Sequence, residues 1–249
     1  MSDLDALMIY GSRARGDAIA ASDVDLLGVS AEHRAPTALA QVNLHVYSWN
    51  DLEMMVSAHD LFVLHLKWDG RILFETDRRL SELLGRASAR HAYAEERLSA
   101  TRVLRLLHAA DADTLPRRSL DRVALWAIRT FAFSIAVERG ITTFARDVVL
   151  DEFSDGLLEQ LWPARDRRRE WRALDYKSTL ATFLEEWTST RIDQGPAVTV
   201  QQVLAEAVAN SDRVAVKQIE RAVSGLTDRL AEADLEYSIR TESVPSMLC

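Results

Sequence analysis

The chain of 249 residues suits two domains or one large one, and a 48% hydrophobic content supports a full-sized core. A formal net charge of −8 argues against long duplex DNA as a main partner, and the single cysteine, Cys249, rules out an internal disulfide framework or a cysteine-built zinc site. Residues 1–7 carry no basic leader and no run of about 20 apolar residues marks a membrane span, so a cytoplasmic location without membrane contact is expected.

Leu7-Met8-Ile9-Tyr10 is a short apolar run stopped by Gly11, the pattern of a buried strand. Only six residues precede it, so helices from the second half of the chain are expected to cover the sheet. Ser12 is expected to open a helical turn whose amides and dipole face an anion. Val24 to Val29 reads as a second strand. Asp23 and Asp25, two apart, leave one face of it, with Val24 and Leu26 expected toward the core. Two such carboxylates repel, and a divalent cation relieves the repulsion. Hard oxygen donors suit Mg2+ where substrate phosphates supply the remaining ligands. Gly11-Ser12 ten residues ahead of Asp23-x-Asp25 can therefore hold a nucleoside triphosphate with metal.

Residues 31–41, with Pro36, are expected to form a connection with one short helix. Val42-Asn43-Leu44-His45-Val46-Tyr47 alternates apolar and polar, as a third strand with Asn43 and His45 on one face. Asp51 to Trp68 reads as one helix stopped by Asp69-Gly70, and Arg71 to Phe74 as a last strand. Asp77 is expected to cap a helix that ends at Gly85. Beyond Ala87 strand signals vanish. Residues 88–109 predict a helix with Ala92, Leu98, Val103, Leu104 and Leu107 on its apolar face. Residues 119–139 predict another, with Val123, Trp126, Ala127, Thr130, Phe131 and Ser134 along one face. Leu158 to Trp162, residues 164–190, and a hairpin of Thr199–Ala209 with Asp212–Ala233 complete a bundle of five or more helices, before a loose tail.

Gly11-Ser12-Arg13-Ala14-Arg15-Gly16 followed by Ser22-Asp23-Val24-Asp25-Leu26-Leu27 resembles the DNA polymerase β-type nucleotidyltransferase superfamily, of the minimal nucleotidyltransferase and kanamycin-type adenylyltransferase kind. The resemblance implies an α+β fold. A small mixed β-sheet nucleotidyltransferase domain over residues 1–86 would be followed by an all-helical bundle domain over residues 87–249 with a flexible C-terminal tail. It implies Mg2+-dependent transfer of a nucleoside monophosphate, AMP from ATP in the first instance, to a hydroxyl of a protein, RNA or small molecule, with release of pyrophosphate. By the same resemblance Gly11 and Ser12 hold the triphosphate, Asp23 and Asp25 bind the metal, and Arg13 and Arg15 contact phosphates or brace the loop. A partner protein or a second copy of the chain could join through the helical domain.

The chain departs from the family at the third carboxylate, whose position Asn43 occupies. Asn offers one neutral oxygen to a metal but cannot take a proton. Three readings compete: His45 or a carboxylate from the helical half (Glu138, Asp147, Asp151 or Glu152) supplies the base; the chain binds a nucleotide and turns over slowly or not at all, as a scaffold subunit of a toxin–antitoxin or phage-defence pair; or the strand register differs and Asp51 or Glu53 serves. Aminoglycoside adenylylation is a further alternative, and predicts a cleft with added acidic residues.

Other groupings carry weaker chemistry. Arg165-Asp166-Arg167-Arg168-Arg169 with Arg172 is a solvated basic helix face or an RNA-steering patch. Arg102 and His108 match the Arg-x(4–6)-His spacing of HEPN ribonucleases. His33, His59, His65 and His91 lack zinc-site spacing, and the Trp residues read as packing groups.

Overall fold

A computed structural model describes residues 4–20, 22–32, 34–39, 41–109, 117–154, 156–164, 167, 171–188 and 199–224. It is a mixed α+β structure, with a small sheet and a larger share of helix. Five strands, β1 (Ala6–Tyr10), β2 (Val24–Ser30), β3 (Arg34–Leu39), β4 (Val42–Ser48) and β5 (Arg71–Glu75), lie in the order β3-β4-β2-β1-β5. β2 and β4 run parallel, and the other pairings are antiparallel. The short helix expected within 31–41 is instead the edge strand β3. Its antiparallel ladder on β4 overrides the weak strand preference of its Ala and Pro residues.

Side-chain parity places one face of the sheet inside. Ala6, Met8 and Tyr10, then Leu27 and Val29, then His45 and Tyr47 are all buried. Tyr10 and Tyr47 meet Phe62 at ring separations of 5.6 and 5.7 Å, so the covering layer is helical. That layer is α2 (Trp49–Ser57) and α3 (Leu61–Asp69), drawn from the segment just after β4 rather than from the second half of the chain. The single helix expected over 51–68 is broken here. His59 takes a positive φ of 52°, and Asp60 caps α3 by accepting from the Phe62 amide at 2.8 Å. Ser48 starts α2 through a capping box with Asp51.

α4 (Arg79–Gly85) starts without a cap from Asp77, which lies at φ 55°; Glu75 accepts from the Ser81 amide instead, at 2.8 Å. The remaining elements are α5 (Ala94–Ala109), α6 (Arg117–Glu138), α7 (Arg146–Leu150), α8 (Leu157–Leu161), a 3₁₀ turn at Ala173–Tyr176, α9 (Lys177–Thr188), α10 (Val200–Ala209) and α11 (Arg213–Ser224). α5 begins six residues later than expected, and Leu98 is 49% exposed rather than on its apolar face. The apolar face expected for α6 is buried. The helix expected over 164–190 reduces, within the described residues, to the 3₁₀ turn and α9; the expected end of α11 and the tail lie outside them.

One hydrophobic cluster joins all of this. It runs from Ala6, Met8 and Leu27 through Leu84, Ala87 and Tyr93 to Phe133, Phe144 and Ile219. Phe144 is the wedge, stacked on His65 of α3 at 4.8 Å and edge-on to Phe133 of α6 at 4.6 Å. Among the described residues, no helix is long and apolar enough to cross a membrane.

Candidate active site

β1 ends at Gly11, and α1 (Ser12–Arg15) turns back over the sheet rim. Gly11 has φ 70° and ψ −157°, a conformation that suits glycine alone. A Cβ there would stand 3.1 Å from Asp25 Oδ2, so glycine lets the start of α1 sit directly on that carboxylate. The Ala14 and Arg15 amides both bond the Gly11 carbonyl, which closes the turn, and Ser12 is buried beneath it.

Asp25 is 8% exposed and opens the buried face of β2, in line with Leu27 and Val29. This corrects the expected parity: Val24 and Leu26 lie half-buried on the opposite face. The carboxylate can be held there because the strand begins at the rim of the helical layer. Asp23 immediately precedes β2 and is partly exposed. It is fixed on both sides. Ser22 before it receives the Arg13 guanidinium on its carbonyl at 2.8 Å, and the Val24 amide after it bonds the Gln41 carbonyl at 2.6 Å.

The parallel register sets Asn43 beside Asp25 and His45 beside Leu27. Asn43 Nδ2 donates to Asp25 Oδ1 at 3.1 Å. The orientation follows from chemistry, because an ionised carboxylate only accepts and the amide nitrogen must face it. His45 is 3% exposed and one pleat deeper, about 6–7 Å further along the strand. It is a core residue behind Asn43, not a group at the rim.

The two arginines of the loop are engaged internally. Arg13 holds Ser22, and Arg15 bonds Asp17 at 3.2 Å and Asp69 at 3.1 Å. Asp69, buried at the end of α3, also accepts from Thr143 Oγ1 at 2.8 Å and from the Phe144 amide at 2.7 Å. Of the two roles open to these arginines, the structure displays bracing. Nothing local in the sequence singles out Asp69 for this part. Its one signal is an Asp before a Gly at a helix end, which reads as a stop.

The substitute carboxylates other than Asp151 are engaged elsewhere. Asp51 caps α2, and Glu53 pairs with Arg79 at 3.3 Å. Glu138 accepts from the Tyr93 amide and from Arg97 at 2.5 Å. Glu152 pairs with Arg139 at 3.4 Å, Asp147 with Arg146 at 2.7 Å, and Asp151 is exposed. Among the described residues, no group of three or more His, Cys, Asp or Glu could hold a metal by itself. The set at the rim is two carboxylates and one neutral amide. That fits Mg2+ arriving with a nucleotide, which keeps water and phosphate oxygens in most of its positions, and does not fit an all-protein metal cage.

The remaining groupings dissolve in the same way. Arg102 is paired with Asp212 inside the helical half. Most of the basic run at 165–170 lies outside the described residues, and Arg172 stands 3.8 Å from Asp121. No family model matches the chain, and no curated protein matches it either.

Proposed function

We propose that the chain is a Mg2+-dependent nucleotidyltransferase that moves a nucleoside monophosphate, with ATP as the expected donor, to a hydroxyl of a protein, RNA or small molecule. The observation that carries this reading is the juxtaposition at one sheet rim of Gly11-Ser12, Asp23 and Asp25, with Gly11 seated against the Asp25 carboxylate. The resemblance of residues 7–29 to polymerase β-type nucleotidyltransferases supports it. In this reading the acceptor oxygen bonds the α-phosphorus, the bond to the bridging oxygen breaks, and pyrophosphate leaves with that electron pair. The hydroxyl proton passes to solvent or to a neighbouring base. Asp23 and Asp25 would hold Mg2+, which supplies positive charge for the phosphate oxygens. The backbone at Gly11 and Ser12 would receive the triphosphate, while Arg13 and Arg15 keep that loop in place.

The test is to incubate the protein with each α-labelled nucleoside triphosphate and Mg2+, with and without host lysate. Label should move to the protein itself, to RNA or to a small molecule, and the double change Asp23→Ala with Asp25→Ala should abolish transfer. Unchanged transfer in that double variant would overturn the proposal.

A second reading, a nucleotide-binding subunit with weakened catalysis, is favoured by the Asn43 to Asp25 hydrogen bond. An amide donating to Asp25 Oδ1 occupies a lone pair that a third carboxylate would leave to metal. A sharp rise in turnover for Asn43→Asp supports this reading. Loss of activity in His45→Ala, with Asn43→Asp inert, would instead return the base to His45.

A further inference from the structure

A cavity of about 560 Å³ lies away from the sheet rim, between the start of α3, the first half of α5, the middle of α6 and the α10–α11 turn. Its volume falls in the range of small-molecule sites. α3 separates it from the Asp25 region. Its first residue, Leu61, lines the cavity, while its last, Asp69, bonds Arg15, about 12 Å away along the helix axis.

The wall contributed by α6 is chemically unfinished. Trp126 and Thr130 are one turn apart, on one face, and both line the cavity. They are 2% and 1% exposed, yet neither Trp126 Nε1 nor Thr130 Oγ1 has a hydrogen-bond partner among the described residues. Glu96, also in the lining, holds Arg90 through Oε1 and leaves Oε2 buried without a partner among those residues. Buried polar atoms are nearly always satisfied, so three donors (Trp126 Nε1, Thr130 Oγ1 and Arg102 Nε) and one carboxylate oxygen without hydrogen-bond partners among the described residues around a single space call for an occupant that supplies the complements.

The charge of the lining selects the sign of that occupant. Four carboxylates, Asp60, Glu95, Glu96 and Asp212, stand against two guanidinium groups of the lining, Arg102 and Arg213, and against Arg90, which pairs with Glu96 from outside it. Arg102 is already neutralised by Asp212, which also accepts from the single Ser99 hydroxyl, shared between its two oxygens at 2.8 and 2.9 Å, and from the Ala215 amide at 3.0 Å. Asp60 is committed to capping α3. Glu95 and Glu96 make an acidic pair on the first turn of α5. Leu61, Val214 and the half-exposed Leu98 supply an apolar lining beside the indole of Trp126. An indole beside carboxylates favours a cation over a neutral guest.

We propose that this cavity binds a small organic amine: an ammonium group directed to Glu96, carried on a flat apolar body, with a hydroxyl or ring heteroatom meeting Trp126 Nε1 and Thr130 Oγ1. The site is independent of the nucleotide reading and is tested by binding alone. The full chain is titrated by calorimetry near neutral pH with tyramine and para-methoxyphenethylamine, whose oxygens can accept from Trp126 Nε1. Para-hydroxyphenylacetate and para-methoxyphenylacetate, which replace the amine with a carboxylate, serve as matched controls. The amines should give saturable one-site binding, at least about tenfold tighter than the acids, and Thr130→Val and Glu96→Gln should each weaken amine binding by about tenfold. Thr130→Val should keep or raise the melting temperature, since it removes an unmatched buried hydroxyl; this separates a ligand contact from a folding contact. Amines that bind no tighter than the acids, or an affinity unchanged in both variants, would overturn the assignment.

Discussion

The two ends of α3 solve the same problem in opposite ways. At its C-terminal end Asp69 is buried and matched by the Arg15 guanidinium, the Thr143 hydroxyl and the Phe144 amide. At its N-terminal end buried Trp126 and Thr130 carry polar atoms that no described residue matches, and they face open volume. Burial raises the stakes of a polar group in both directions: a matched network rigidifies, and an unmatched one is unfavourable until something fills it. The matched end fixes a loop before any ligand arrives. The unmatched end reads as a place where stability has been surrendered for binding.

The largest test of that contrast is Asp69→Ala. It strips partners from three donors, one of them charged, and should cost about 3–5 kcal/mol, read as a lower midpoint in urea unfolding. A loss below about 1 kcal/mol would mean that the junction is ornamental and the contrast false. The same substitution made at each end sharpens it further. Thr143→Val removes a bond to a buried carboxylate and should cost about 1.5 kcal/mol, whereas Thr130→Val should lie between neutral and about 1 kcal/mol stabilising without ligand. Equal effects from the two would erase the distinction.

The smallest effect comes from the far end of α5, where His108 is another polar group poorly matched to its surroundings. Burial first, and the neighbouring Lys177 second, hold its imidazole below the ordinary value of 6.5. The unfolded chain therefore takes up a proton that the folded chain resists. Stability from this group is fully present above 6.5 and is lost as the pH falls from there toward the depressed folded value. Melting temperatures should fall with pH across that window, and His108→Gln should flatten the slope; an unchanged slope would assign the pH response to other groups.

How much of the molecule is legible in the residues depends on how local the information is. The strand ending at Gly11, the helical turn at Ser12 and the Asp23-x-Asp25 strand are set by neighbours a few positions apart, and all three are present. The orientation of that strand is not legible, because Val24 and Leu26 are as apolar as Leu27 and Val29. Only the docking of Phe62 over Tyr10 and Tyr47 decides which set is inside. β3 escapes a reading by composition because a ladder partner makes it a strand. The helix break at His59 does leave a trace, an Asp60 suited to cap α3, but the apolar periodicity across it is the stronger signal. The bracing of Arg15 and the cavity lie beyond the sequence, since each depends on segments more than fifty positions apart.

The grip on Asp69 also bears on how such a chain can be rebuilt or recombined. Residues 1–86 cannot be lifted out and joined to a foreign helical half without stranding a carboxylate inside the fold. A chimera would need to carry the Thr143-Phe144 pair along with α3, at the same height and facing the same way. Swapping the helical half is therefore closed to this architecture unless the lock is inherited with the swap. Variation should instead accumulate in parts of the helical half that leave that contact alone.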